Sequence, residues 1–211
     1  MKVLPEIREF EPSLNTEHRY FVPAEARAGV IAGDFSVETL AEIKSDFALF
    51  TGRQTIWETQ ERNGGFYACL GASDAATGES VFDSLPDRQD AYVLRITADY
   101  IELAANTGAG FFNGWQTLCQ LAEDASIQCG TIVDWPSLEL RCLHVDLKGM
   151  TPKFEYLLEL IRKISRLKIN SIMLEYEDKI HYDSHPAIAH PEMAYSKEQV
   201  EILLDLCHAR F

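Results

Sequence analysis

The chain has no C-x-x-C pair, no long apolar run and few basic residues, and each shortage removes a class of function. Its five cysteines, Cys69, Cys119, Cys129, Cys142 and Cys207, are odd in number and widely spaced. That pattern excludes a zinc ribbon or a dithiol redox motif and points to idle thiols in a reducing compartment. No stretch approaches the ~20 apolar residues of a membrane-spanning helix. The opening MKVLPEIREF puts Glu6, Arg8 and Glu9 where a secretory signal needs its apolar centre. A cytoplasmic protein is expected. Lys and Arg number 19 against 33 Asp and Glu, a net charge of −14 with His neutral. Nucleic acid and anionic membranes are polyanions and are therefore not expected as partners. G-x-G-x-x-G, the Gly-Lys-Ser/Thr of a phosphate loop and G-x-S-x-G are all missing as well, so no cofactor is expected.

What is present describes a folded protein: 46% hydrophobic and 25% charged residues in a chain of 211, enough for one domain or two. Residues 1–137 mix short strand-like runs with two helical patterns. Over 36–50, Val37, Leu40, Ile43, Phe47 and Phe50 recur at helical spacing, with Ser36 as cap and Gly52 as terminator. The runs AYVLRI (91–96) and YIELA (100–104) read as a hairpin across Thr97-Ala98-Asp99. The small residues of 105–110 read as a close-packing turn, since they lack a complete phosphate-binding motif. A helix with Phe111, Phe112, Trp115, Leu118, Cys119 and Leu121 follows them. This order predicts an α+β domain, a sheet with helices on one face.

The grammar changes after Asp134-Trp135-Pro136. Over 138–211 a strand at 140–147 (LRCLHVDL) leads to a helix capped by Thr151 with Pro152 at its first position. That helix carries Phe154, Leu157, Leu158, Ile161, Ile164 and Leu167. A second strand at 169–176 (INSIMLEY) follows, then a loop rich in His and Pro, then a capping box, Ser196-Lys197-Glu198-Gln199. The helix begun there runs through Val200, Ile202, Leu203, Leu206 and Cys207. These are two βα units with parallel strands. A (β/α)8 TIM barrel needs eight such units and about 250 residues. Open sheet edges are expected to be covered by a further barrel portion, by an oligomer or by docking onto the first domain.

In parallel βα folds chemistry gathers at the C-terminal ends of strands. Asp146 and the pair Glu177 and Asp178 lie there, and Arg141 starts the first strand. Carboxylates accepting from hydroxyls and a guanidinium donating suit a hydroxyl-rich ligand. Ion pairs of Asp146, Arg141 and Glu177 that tie strand to loop explain the same residues. His181, His185 and His190, with Asp178 and Asp183, have a spacing that would make a metal pair only in a helix. Pro186 and Pro191 favour a loop, and no metal is expected.

Residues 141–149 (RCLHVDLKG), the helix begun at Pro152-Lys153 and Leu174-Glu175-Tyr176-Glu177-Asp178 resemble the opening of the catalytic barrel in glycoside hydrolase family 20. The likeness is strongest to the hexosaminidase D-like branch, where R-x-x-H-x-D-L-K-G and E-Y-E-D-x-F-P-Y occur at this spacing. Residues 110–118 (GFFNGWQTL) are similar to a helix of the α+β domain that precedes the barrel. The resemblance implies a retaining β-N-acetylhexosaminidase in which the substrate's own acetamido group is the nucleophile. It implies an N-acetylhexosamine-containing glycan as partner and Arg141, Asp146, Glu177 and Asp178 as substrate-binding residues. One departure is Ile180-His181-Tyr182 in place of F-P-Y. The larger one is that the family's catalytic Asp-Glu pair, at the fourth barrel strand, has no counterpart here. Asp is nowhere followed by Glu, so no catalytic residue is assigned. The expectation is an N-terminal portion of such an enzyme, inactive alone. The alternative is a stand-alone, non-catalytic glycan- or protein-binding module.

Overall fold

The computed structural model describes residues 3–14, 17–22, 29–54, 56–71, 79–122 and 126–210. They form two compact units, Met1–Ser137 and Leu138–Phe211.

Unit 1 runs β1 (Glu9–Pro12), β2 (Arg19–Phe21), β3 (Gly29–Ala32), α1 (Val37–Thr51), β4 (Trp57–Gln60), β5 (Phe66–Gly71), α2 (Glu79–Phe82), β6 (Tyr92–Ile96), β7 (Tyr100–Ala105), α3 (Gly108–Ala122), β8 (Ser126–Gln128) and β9 (Gly130–Asp134). Seven strands make one mixed sheet in the order β1-β9-β6-β7-β5-β3-β4, and β2 pairs separately with β8. Only β3 and β4, joined through α1, are parallel; the other neighbours in the large sheet are antiparallel. The predicted hairpin is present as β6 and β7, with Thr97 N–H donating to the Tyr100 carbonyl at 2.9 Å.

Alternation along β5 sorts the two faces. Ala68 and Leu70 join Leu94, Leu103 and the buried faces of α1 and α3 in the main core. Tyr67 and Cys69 point the other way, with Val93 and Ala104, onto Val81 of α2. The two long helices therefore share one face as expected, but the four-residue α2 lies on the opposite face and corrects the one-sided picture. Alternation of fully apolar strands leaves a second apolar face, and α2 covers part of it.

Helix α1 begins where expected. Ser36 Oγ accepts from Thr39 N–H at 3.1 Å, and Gly52, at φ 63°, closes the helix in the left-handed conformation that glycine adopts most readily. Its buried stripe is Thr39, Ile43, Asp46 and Phe47, whereas Val37 is exposed. Hydropathy alone misses this, because Asp46 is buried by accepting from Gln116 Nε2 on α3 at 2.9 Å. At the start of α3, Thr107 Oγ1 accepts from Gly110 N–H at 3.0 Å and donates to Asp90 at 2.8 Å. A Cβ on Gly110 would lie 2.8 Å from the Ala91 carbonyl oxygen. The small-residue stretch is a close-packing turn.

Unit 2 contains β10 (Cys142–Asp146), α4 (Phe154–Arg166), β11 (Ser171–Glu175), a 3-10 turn (Pro186–Ile188) and α5 (Lys197–Ala209). The strands are parallel, in a register from Cys142 opposite Ser171 to Asp146 opposite Glu175. Leu147, Leu157, Ile161, Tyr195, Leu203 and Leu206 form its core, with Val145, Ile172 and Leu174 packed against it. The Ser196 capping box has both of its reciprocal hydrogen bonds. The start of α4 is corrected: Lys153, not Thr151, is the N-cap, and it makes no side-chain capping bond. Pro152 lies before the helix, where its carbonyl accepts from the Tyr195 hydroxyl. Leu167 also departs from the expected stripe, standing exposed just after the helix. No helix among the described residues is long and apolar enough to cross a membrane.

Candidate functional site

The exposed face of the β10–β11 pair carries Cys142, His144 and Asp146 on one strand and Met173 on the other. Parallel register sets Asp146 directly beside Glu175 at the C-terminal ends. Lys148, just past β10, joins them. Its Nζ pairs with Glu175 Oε1 and stands 3.6 Å from Asp146 Oδ2, while its backbone N–H donates to Asp146 Oδ1 at 2.9 Å. His144 Nε2 lies 3.0 Å from the other Glu175 oxygen. Two strand-end carboxylates thus share one ammonium and remain partly exposed, and carboxylate oxygens are able to accept hydrogen bonds from hydroxyl groups.

The hydrogen bond from Lys148 holds the Glu175 carboxyl below the ordinary carboxylate range, and the same contact raises Lys148. A lowered carboxyl pKa means that the pairing is present at neutral pH and is lost as pH falls through that lowered value. In an acid titration followed by carboxyl carbon NMR, Glu175 is therefore expected to protonate below an ordinary glutamate. Lys148→Met is expected to bring it back towards that range while leaving Asp178 unchanged.

The other expected site residues are placed less simply. Glu177 is exposed, in the turn after β11, at φ 41°, a left-handed conformation uncommon for a side-chain-bearing residue; its charge acts on Lys148. Asp178 is drawn into the following loop: Lys179 Nζ pairs with its carboxylate, pulling its pKa down, and its carbonyl accepts from His190 N–H at 2.7 Å. Arg141 lies at the other end of β10, about 16 Å of extended chain from Asp146. Its guanidinium donates to the carbonyls of Lys168 and Leu138, both at 2.6 Å. The fold brings Asp146 together with Glu175, Lys148 and His144, sets Glu177 nearby, and separates Arg141 and Asp178 from them. The sequence pattern runs the second strand to Tyr176 and does not set Glu175 apart; the observed end of β11 and its register opposite Asp146 do.

In the His-rich loop, His185 Nδ1 lies 2.9 Å from Ser184 Oγ, and His190 Nδ1 accepts from the N–H groups of Glu192 and Met193 at 3.2 Å. Among the described residues no group of three or more His, Cys, Asp or Glu side chains is arranged to hold a metal.

Residues 18–135, nearly all of unit 1, match the family model for glycosyl hydrolase family 20, domain 2. The chain belongs to glycosyl hydrolase family 20. It carries an N-terminal portion of that family's architecture. A putative beta-hexosaminidase of Margaritifera margaritifera is 30% identical over 105 residues, 49% of this chain and 9% of that protein. Hexosaminidase D of Bos taurus is 37% identical over 67 residues, 32% of this chain and 19% of that one. The matched stretches thus span less than a fifth of these relatives. Among solved structures, an exo-β-N-acetylglucosaminidase of Vibrio harveyi in complex with N-acetylglucosamine matches 99% of this chain and 34% of its own. Its TM-score is 0.73 at 16% identity. The family 20 β-N-acetylhexosaminidase of Streptomyces coelicolor matches 99% and 44%, at TM-score 0.70 and 20% identity. The likeness to these solved structures shows a shared fold, in which unit 1 is the family 20 α+β domain.

Proposed function

We propose that this chain is part of a β-N-acetylhexosaminidase that removes terminal N-acetylhexosamine from glycans or glycoconjugates. In this reading unit 1 is the accessory domain and unit 2 is the first quarter of a (β/α)8 barrel, whose remaining strands cover the open edges of β10 and β11. The observation that carries the reading is the side-by-side placement of Asp146 and Glu175 at the ends of two parallel strands, in a chain of this family. Asp146 and Glu177 accept hydrogen bonds from sugar hydroxyls, while Lys148 and His144 keep Glu175 ionised and oriented. Asp178 shapes the rim through Lys179. Arg141, which the resemblance assigns to the ring hydroxyls, reaches them only by exchanging its bonds to the Leu138 and Lys168 carbonyls. Catalysis is substrate-assisted: the acetamido oxygen attacks the anomeric carbon as the glycosidic bond breaks and a general acid protonates the leaving oxygen. A cytoplasmic setting accords with the five free cysteines.

No Asp in the sequence is followed by Glu. The chain alone is therefore expected to bind and not to hydrolyse, and the same observation favours, as a second reading, a non-catalytic glycan- or protein-binding module. The purified chain is expected to release no nitrophenol from an aryl N-acetylglucosaminide above the uncatalysed rate. Hydrolysis that copurifies with the chain and is abolished in Glu177→Gln would overturn this and make the chain an enzyme by itself.

A further inference from the structure

The β11–α5 connection, residues 176–196, carries Glu177 and Asp178 and is tied down at several points. Lys179 N–H donates to the Tyr176 carbonyl at 2.6 Å, closing the turn in which Glu177 takes its left-handed φ of 41°. A residue with a side chain stays in that conformation only where its surroundings hold it there. Further along, His190 N–H donates to the Asp178 carbonyl at 2.7 Å, and Ile180 forms a parallel bridge with Tyr195.

These ties converge on Tyr195. Its N–H donates to the Lys179 carbonyl at 2.8 Å, and its own carbonyl accepts from His181 N–H at 3.1 Å. Its ring is buried in the core of unit 2, with ring centres 6.4 Å apart between it and Phe154. Its hydroxyl crosses to the β10–α4 loop and donates to the Pro152 carbonyl. Burial pushes the pKa of this hydroxyl up to about 12, so it stays protonated and donating at neutral pH. Filling the core asks only for a ring, which phenylalanine would supply. The hydroxyl adds a bond between two strand-end loops. The loop of Pro152 also carries Lys148, and the loop of Lys179 also carries Glu177, whose charge acts on Lys148.

We propose that Tyr195 is a positioning residue for the strand-end site. Its hydroxyl fixes the β11–α5 loop against the β10–α4 loop, and so holds Glu177 near Lys148, where Glu177 accepts from a sugar hydroxyl. This rests on the hexosamine reading of the strand ends and adds to it a residue that acts through Glu177.

The test uses the full 211-residue chain. Tyr195→Phe keeps the ring and deletes the bond to Pro152. Ser196→Ala is the comparison: it removes the capping box of α5 at the adjacent position, which lowers stability, and leaves the Tyr195 hydroxyl in place. Without ligand, amide hydrogen exchange at Lys179 and His190 is expected to quicken roughly tenfold or more in Tyr195→Phe, with the β10–β11 ladder amides unchanged. A hydroxyl that served only overall stability would quicken the ladder as much as the loop. With N-acetylglucosamine, followed at the Glu177 amide well below the melting transition, half-saturation should rise roughly threefold to tenfold in Tyr195→Phe. Ser196→Ala should leave it unchanged. Equal quickening of loop and ladder in Tyr195→Phe, or binding by the parent chain that this variant leaves intact, would overturn the proposal alone. No saturable binding by the parent chain would overturn the hexosamine reading beneath it.

Discussion

Trp115→Ala is expected to destabilise unit 1 by about 4–5 kcal/mol, the upper part of the range for emptying a large aromatic site in a core. The side chain is wholly buried. It lies 5.2 Å from Trp57, 5.8 Å from Phe111 and 5.9 Å from Phe47, ring centre to ring centre. These neighbours come from β4, α3 and α1, so the cavity would open where helix meets helix above the sheet. Its Nε1–H also donates to the Ile43 carbonyl of α1 at 2.9 Å, and the substitution leaves that acceptor unmet. Trp115→Phe keeps most of the ring and loses the donor, and should cost about 1–3 kcal/mol. Urea denaturation of both variants separates the terms. The melting temperature of the Ala variant should fall by on the order of 10 °C or more. A loss below about 1 kcal/mol for Trp115→Ala would show that α1 and α3 do not depend on each other for cover.

Gly110→Val is expected to cost about 3 kcal/mol, at the upper end of ordinary overpacking. The new Cβ would stand 2.8 Å from the Ala91 carbonyl oxygen and 3.0 Å from the carbonyl carbon of Asp90. Both are backbone atoms at the entry to β6, a central strand of the sheet, so neither can rotate aside as a side chain would. Gly149→Ala serves as the control. No atom lies within 4 Å of its added Cβ, and it should change stability by no more than about 0.5 kcal/mol. Equal losses for the two substitutions would remove the close-packing account of the 105–110 turn and reopen it as a ligand loop.

The legible parts of this fold were those governed by neighbours in sequence. Ser36, Gly52 and the Ser196 box act within one turn, and each does what its local chemistry predicts. The hairpin at Thr97 is equally local. Long-range order was not legible: β9 inserts between β1 and β6, pairing residues about 120 apart at one edge. The buried Asp46 also escapes hydropathy reading, because its partner Gln116 lies 70 residues away. At the site, the alternation of β10 puts His144 and Asp146 on one face. It could not show that the Arg141 guanidinium would turn to the carbonyls of Leu138, three residues back, and of Lys168, 27 residues on, since the second is brought there by the turn between α4 and β11. Lys148 was visible in the motif, but its role depends on the register that sets Glu175 beside Asp146.

The strand ends of unit 2 are proposed to recognise N-acetylhexosamine. The most direct measurement is a titration of the labelled chain with N-acetylglucosamine, read at the amides of Asp146, Glu175 and Glu177. Saturable shifts are expected at these residues, weak in affinity, on the order of millimolar, and further weakened in Glu177→Gln. Shifts that do not saturate there, or that fall only on residues of unit 1, would contradict it.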